Sequence, residues 1–290
     1  MTLSLGLLMN ILSIQSHVAY GHVGNAAAAF ALQRLGIEVW PIHTVQFSNH
    51  TGYGAWRGRA FDGATIRELM QGIGERGVLG TCDGVLSGYM GSAEIGGAVL
   101  DAVAQVKAAN RQARYCCDPV IGDVGRGVFV LPGIAEFMRA HAEPAADIVT
   151  PNHFELDALT GRTTANMSEV LAAVDDLRAL GPRTVLVTSL IVEDTPADTI
   201  ELLACDDAGR HRLRTPKLPI SVNGAGDAIA ALFFAHYLRR GSAAEALARA
   251  TSGVFGILKR TADAGSREIL LIEAQDELVN PSRMFRPEPV

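Results

Sequence analysis

Short apolar runs and longer amphipathic stretches alternate along most of the chain. Residues 10–15 form an apolar run that predicts a strand, and the alanine-rich stretch 24–35 predicts a helix stopped by Gly36, a good left-handed terminator. A second strand follows at 37–42. Strand, loop, helix, glycine and strand make the βαβ unit of a parallel sheet. A long polar loop, 44–59, comes next. The pattern then gives a helix at 64–76, a strand at 84–87, and a helix at 92–110 capped by Ser92. A strand at 114–120 ends near Asp118-Pro119, and a glycine-rich loop occupies 122–127. Helices follow at 132–142, 154–159 and 168–180, with strands at 147–150 and 184–188. The rhythm changes at 199–205 and 211–215, two runs around Asp206-Asp207-Ala208-Gly209 that predict an antiparallel hairpin. Two final helices are predicted at 225–239 and 243–259. The sum is an α/β fold, a mostly parallel central sheet with helices on both faces and a late β-hairpin. It forms one domain over 9–290. Residues 1–8 are expected to be an extension with little role in the fold, and Met9 the natural start.

Composition narrows the function. The 290 residues are 48% hydrophobic, enough for a sizeable core, and the net charge of −6 argues against a nucleic-acid or anionic-membrane surface. No apolar run approaches the roughly 20 residues of a membrane span. Residues 2–8 lack the basic region of a signal peptide. Four cysteines, Cys82, Cys116, Cys117 and Cys205, have no zinc spacing and read as buried thiols in a reducing cytoplasm. Cys116 and Cys117 should face opposite sides of their strand. Only three of the 25 basic residues are lysines, so lysine phosphate clamps are scarce.

The stretch with the most chemistry is Ser221-Val222-Asn223-Gly224-Ala225-Gly226-Asp227. Its glycines open a helix whose first N–H groups lack intrahelical partners and carry roughly +0.5 charge from the helix dipole, a ready anion site. Asp227 is a carboxylate where an anion should bind. It reads either as ordinary dipole compensation or as a base that reaches a hydroxyl attacking phosphate. The stretch is neither a dinucleotide fingerprint nor a P-loop: Ile229 stands at the third glycine position and the chain has no Gly-Lys pair. In open parallel sheets ligands collect at the carboxyl ends of the strands. Ser16, Tyr89, Asp118, Asn152, Glu155, Thr188 and Ser189 all fall there. Glu155 and Asp118 are candidates to organise Mg²⁺, while first-turn dipole compensation explains Glu155 equally well.

These motifs resemble the ribokinase-type superfamily of ATP-dependent small-molecule kinases. Gly224-x-Gly226-Asp227 is similar to that family's anion hole and base, and Asn152-x-x-Glu155 to its magnesium-associated motif. Within the superfamily the chain most resembles the bacterial pyridoxal kinases of the salvage type. The carrying residues are Ile14-Gln15-Ser16-His17-Val18-x-Tyr20-Gly21, Thr44 to Thr51, Ser87-Gly88-Tyr89-x-Gly91-Ser92 and Cys117-Asp118-Pro119-Val120. The likeness extends from about residue 10 to 275, and 44–51 is its most specific part.

The resemblance implies ATP-dependent phosphorylation of the 5′-hydroxymethyl group of pyridoxal, giving pyridoxal 5′-phosphate. It places Ser16 on the polar edge of the pyridine ring, Thr51 and Gly52 on the other side, and Val18 and Tyr89 against the ring. Asp227 takes the hydroxyl proton, and the amides around Gly224, Ala225 and Gly226 hold the transferring phosphoryl group. Asp118, Thr150, Glu155, Thr188 and Ser189 surround the ATP phosphates and Mg²⁺, with Asp118 and Glu155 nearest the metal. Arg212, Leu213, Arg214 and Thr215 approach the nucleotide. The resemblance implies a homodimer and a cytoplasmic location, and leaves open whether a monovalent cation is required beside Mg²⁺. Gly52 replaces a polar side chain expected in relatives, and Thr188 stands where a lysine is common. The competing readings are a sister kinase acting on a hydroxymethyl-pyrimidine, against which 44–51 argues, and a non-catalytic pyridoxal phosphate binder, which could dispense with Asp227 and Glu155.

Overall fold

The computed structural model describes residues 9–290, so the expected extension at 1–8 lies outside the described residues. The chain runs β1 (Asn10–Val18), α1 (Asn25–Arg34), β2 (Glu38–Phe47), β3 (Gly58–Ala60), α2 (Gly63–Glu75), β4 (Gly84–Ser87), α3 (Ala93–Ala109) and β5 (Arg114–Cys117). A small hairpin follows, β6 (Gly122–Asp123) and β7 (Gly127–Val128), then α4 (Ile134–Phe137), α5 (Glu143–Ala145), β8 (Ile148–Val149), α6 (His153–Thr160), α7 (Met167–Leu180) and β9 (Thr184–Leu190). The last elements are β10 (Thr199–Asp206), β11 (Gly209–Pro216), α8 (Ala225–Arg240), α9 (Ala243–Asp263) and β12 (Glu288–Pro289).

One ten-stranded sheet has the order β12-β11-β10-β9-β8-β5-β4-β1-β2-β3. The middle, β2 to β9, is parallel, and antiparallel strands close both edges. The parallel strands are buried on both faces, which explains their nearly continuous apolar runs. One face packs on α2, α3, α6 and α7, through residues such as Val99, Leu156 and Val174. The other packs on α1, α8 and α9, through Leu32, Phe233 and Leu247. Cys117 belongs to the first core and Cys116 to the second, as strand alternation requires. All four cysteines are free and buried. Among the described residues no helix is long and apolar enough to cross a membrane.

Several elements differ from their expected bounds. β1 continues to Val18, so Ser16 lies inside the strand, beside a register shift between Gln15 and His17. β2 continues to Phe47 and pairs with β3, so the expected 44–59 loop is partly a β-ribbon. β5 stops at Cys117, because Pro119 has no N–H for the ladder. The 122–127 loop is the β6–β7 hairpin. The expected 132–142 helix is α4 continued by a π-helical turn over Met138–Ala142.

What fixes the chemistry is the seating of α8. Phe233 and Phe234 are fully buried, each contributing about 1.5–3 kcal/mol by removal from water. Phe234 lies against Gly84 of β4, where a Cβ would overlap its ring. The N-terminus of α8 therefore opens at the carboxyl edge of the parallel strands.

Candidate active site

At that edge Gly224 adopts φ 91°, and its missing Cβ is required because the His22 carbonyl oxygen occupies the space. The first intrahelical bond is Ala228 N–H to the Gly224 carbonyl, so the preceding amides have no acceptor within the helix. Asp227, in this first turn, is half-buried. Burial raises its pKa, while the Gly24 amide and its own amide pull it down. Gly24 in turn sits on Ser16, with no room for a side chain between them. Gly24 thus lies beside both Ser16 and Asp227, a neighbourhood that spacing along the chain does not reveal.

Asn25, just after Gly24, is locked by a buried polar network. It accepts from Ser13 Oγ at 2.7 Å and donates to the Ile42 carbonyl at 2.9 Å, while Gln15 donates to Ser13 Oγ at 2.9 Å. The network holds the start of α1 to β1 and β2. Tyr89 is half-buried, and its carbonyl accepts from Thr44 Oγ1 at 2.7 Å. Val18 is buried, whereas Thr51 and Gly52 lie exposed on a short 3₁₀ turn.

Asp118 follows β5 and is buried, with Thr150 Oγ1 donating to its Oδ1 at 2.8 Å. Burial, then the charges of Glu155 and Asp227, push its pKa well above the usual carboxylate range. These three carboxylates are therefore electrostatic neighbours. Glu155 accepts from the Asn152 amide at 2.9 Å through Oε2 and from the Ile121 amide at 2.9 Å through Oε1. Asn152 Oδ1 accepts from the Glu155 amide at 2.9 Å, completing a capping box. Glu155 thus satisfies α6 and also anchors the Ile121–Gly122 turn. Burial raises its pKa to about 8.

A cavity of about 260 Å³ opens beside the α8 turn, lined by residues including Ala225, Gly226, Thr188, Ser189 and Thr215. Its walls are apolar: Leu218, Ile220, Val254 and Phe255 contribute. Thr188 and Ser189 reach it through a bulge in β9, where the pairing with β10 shifts between Glu201 and Leu203. Ser189, at φ 52°, is the only described non-glycine residue with positive φ. A more open depression of about 750 Å³, at Arg67, Gln71 and Asp101, lies on α2 and α3, away from this edge.

The 212–215 segment presents its residues to different surroundings. Only Thr215 lines the cavity. Leu213 is buried in the α8–α9 core, and Arg214 Nε pairs with Glu201 Oε1 at 2.7 Å. Arg212 pairs with Asp194 at 3.4 Å. Strand alternation puts both arginines on the opposite face from Thr215. The wall beyond Thr215, which sequence reasoning did not name, is Pro216, Lys217, Leu218 and Ile220, together with Thr251, Val254, Phe255 and Leu258. The helical spacing of those four residues on α9 carried the signal.

A parallel sheet with a glycine-turned helix start, a carboxylate in that turn and an apolar cavity beside it defines a ribokinase-like small-molecule kinase. The phosphomethylpyrimidine kinase family model matches residues 81–271. The chain is 58% identical over 281 residues to pyridoxal kinase PdxY of Granulibacter bethesdensis, covering 96% of this chain and 98% of that one. It is 44% identical to the pyridoxal kinase PdxY of Paraburkholderia xenovorans, covering 95% and 96%. In structure it is similar to pyridoxal kinase from Leishmania donovani in complex with ADP and ginkgotoxin, with TM-score 0.90, 31% identity and coverage of 97% and 99%. The chain belongs to the pyridoxal kinase family.

Proposed function

We infer that this chain transfers the γ-phosphoryl group of ATP to the 5′-hydroxymethyl oxygen of pyridoxal, giving pyridoxal 5′-phosphate and ADP in vitamin B6 salvage. The observation that carries this reading is the place of Asp227. It stands between the Ser16–Gly24 side of the sheet edge and the apolar cavity, on a helix start with free amides. The complex of the Leishmania donovani enzyme with ADP and pyridoxamine supports a site that takes an adenine nucleotide and a B6 vitamer together.

In this mechanism the adenine side of ATP fills the apolar cavity and the phosphates run over Thr188 and Ser189 to the amides of Ala225 and Gly226. Ser16 and Tyr89 hold the pyridine ring, with Val18 and the Thr51–Gly52 turn closing its surroundings. Asp227 accepts the hydroxymethyl proton as that oxygen bonds to the γ-phosphorus and the β–γ bridging bond breaks. The helix amides hold the charge on the transferring group.

Magnesium would neutralise phosphate charge when bound with ATP. Among the described residues no group of three or more His, Cys, Asp or Glu forms a metal cage. One buried carboxylate with an oxygen free beyond its Thr150 bond suits an ion that keeps its waters and leans on phosphates. Asp118 would hold it. Glu155, already accepting backbone amides through both oxygens, would act through water or by shaping the turn above. The four free thiols support a cytoplasmic location. A homodimer is what the family resemblance adds.

Steady-state kinetics with pyridoxal, pyridoxine, pyridoxamine and hydroxymethyl-pyrimidine, with and without Mg²⁺, test the reading. Mg²⁺-dependent turnover of pyridoxal is expected. Turnover of the pyrimidine alone would transfer the chain to the sister activity named by its family model.

A further inference from the structure

The β6–β7 hairpin is anchored at its base, and its tip lies beside the Thr51–Gly52 turn. Its base is held by Glu155, through the Ile121 amide at 2.9 Å, and by Asn152 Nδ2, which donates to the Gly122 carbonyl at 2.9 Å. Its tip carries Arg126 between Gly125 at φ 80° and Gly127 at φ 66°. Across the cleft, a Cβ at position 52 would stand 3.9 Å from Arg126 Nη2 and 2.8 Å from His50 Nδ1. The Gly52 amide donates to His50 Nδ1 at 3.1 Å, which requires that nitrogen to be unprotonated. Burial and then the Arg126 charge lower the His50 pKa, in keeping with a neutral ring. Arg126 is exposed and enters none of the ion pairs or side-chain hydrogen bonds among the described residues. A guanidinium with five donors and no acceptor therefore waits beside a position whose own side chain is missing.

We propose that Arg126 binds an oxygen substituent of the pyridine ring and supplies the polar contact that Gly52 cannot make. The inference rests on the pyridoxal kinase reading of the site. It makes the hairpin a substrate-binding element as well as a spur of the phosphate side, because one turn is fixed to Glu155 while its tip faces the ring loop. The recognised chemistry is an acceptor oxygen, either the ring hydroxyl or the 4′ carbonyl.

Arg126→Met keeps the side-chain length and removes the charge, and Arg126→Lys keeps a charge without the planar fork. For the methionine variant we expect KM for pyridoxal to rise about tenfold, the scale of one lost charge-assisted hydrogen bond, while KM for ATP moves less than about twofold. The lysine variant should recover part of the loss. A rise shared by pyridoxal, pyridoxine and pyridoxamine identifies the ring hydroxyl, and a rise confined to pyridoxal identifies the carbonyl. Pyridoxal titrated into the methionine variant without nucleotide should show the same weakening. An unchanged pyridoxal KM, or equal rises for pyridoxal and ATP, overturns the proposal. Failure of the unaltered chain to phosphorylate any of the three vitamers would instead reject the underlying function.

Discussion

Asp227 shows how much a single carboxylate depends on its surroundings. A residue meant to accept a proton must be ionised at the working pH yet basic enough to take the proton. Burial lifts its pKa, and the Gly24 amide limits the rise. Asp227→Asn keeps the shape and removes the proposed base. It should bind ATP normally and turn over about 10²–10⁴-fold more slowly, the range for loss of a general base. In the unaltered enzyme, kcat/KM should fall on acidification through a pKa above the ordinary aspartate range, as Asp227 takes up its proton. Near-normal turnover in Asp227→Asn would remove it from the base role. The aspartate itself was legible in the sequence because a glycine turn before an apolar run is a local signal. Its neighbourhood with Gly24 and Ser16 was not, since those residues are brought together by the packing of α1 against α8.

At the scale of elements, the two glycines of the α8 turn do different work. Gly224 has positive φ and a carbonyl oxygen where its Cβ would be, whereas Gly226 has no heavy atom within 4 Å of that point. Gly224→Ala should cost about 1–3 kcal/mol in backbone strain alone and shift the helix start. We expect a lower melting temperature and loss of ADP binding by calorimetry. Gly226→Ala should melt like the unaltered chain and still weaken ADP, because its new methyl group enters the space left for phosphate. Equal melting temperatures for both variants would contradict this division. Element existence was largely legible: hydrophobic period and caps located the main strands and helices. Ends were misjudged where the deciding partner is distant. β2 runs on to Phe47 because β3 pairs with it, and the 132–142 helix changes to π geometry before Glu143.

At the scale of the whole molecule, Glu143 is a costly buried group with no part in the proposed chemistry. Glu143 is fully buried, and neither carboxylate oxygen has a hydrogen-bond partner among the described residues. Burial, then the charge of Glu155, raises its pKa from 4.5 to about 8, with Arg139 opposing. The folded state therefore keeps a proton that the unfolded chain releases. Stability from this group is full below about pH 4.5 and is lost as pH rises toward 8. Glu143→Leu should raise the melting temperature at pH 8 by about 2–4 °C, with a smaller gain at pH 5. A melting temperature unchanged or lowered at pH 8 would count against a neutral, unpaired carboxyl. The sequence by itself determined the class of fold and the anion turn with its carboxylate, because period, glycine placement and capping are properties of neighbouring residues. Motif likeness added the family and the candidate roles of the residues at the sheet edge. Only the tertiary structure decided which face Arg212 and Arg214 present, which apolar residues wall the cavity, that Glu155 is tied to backbone amides, and that Arg126 reaches Gly52. Those are contacts between segments far apart in the chain, set by how α8 seats on the sheet and how the strands pair, and no local pattern encodes them.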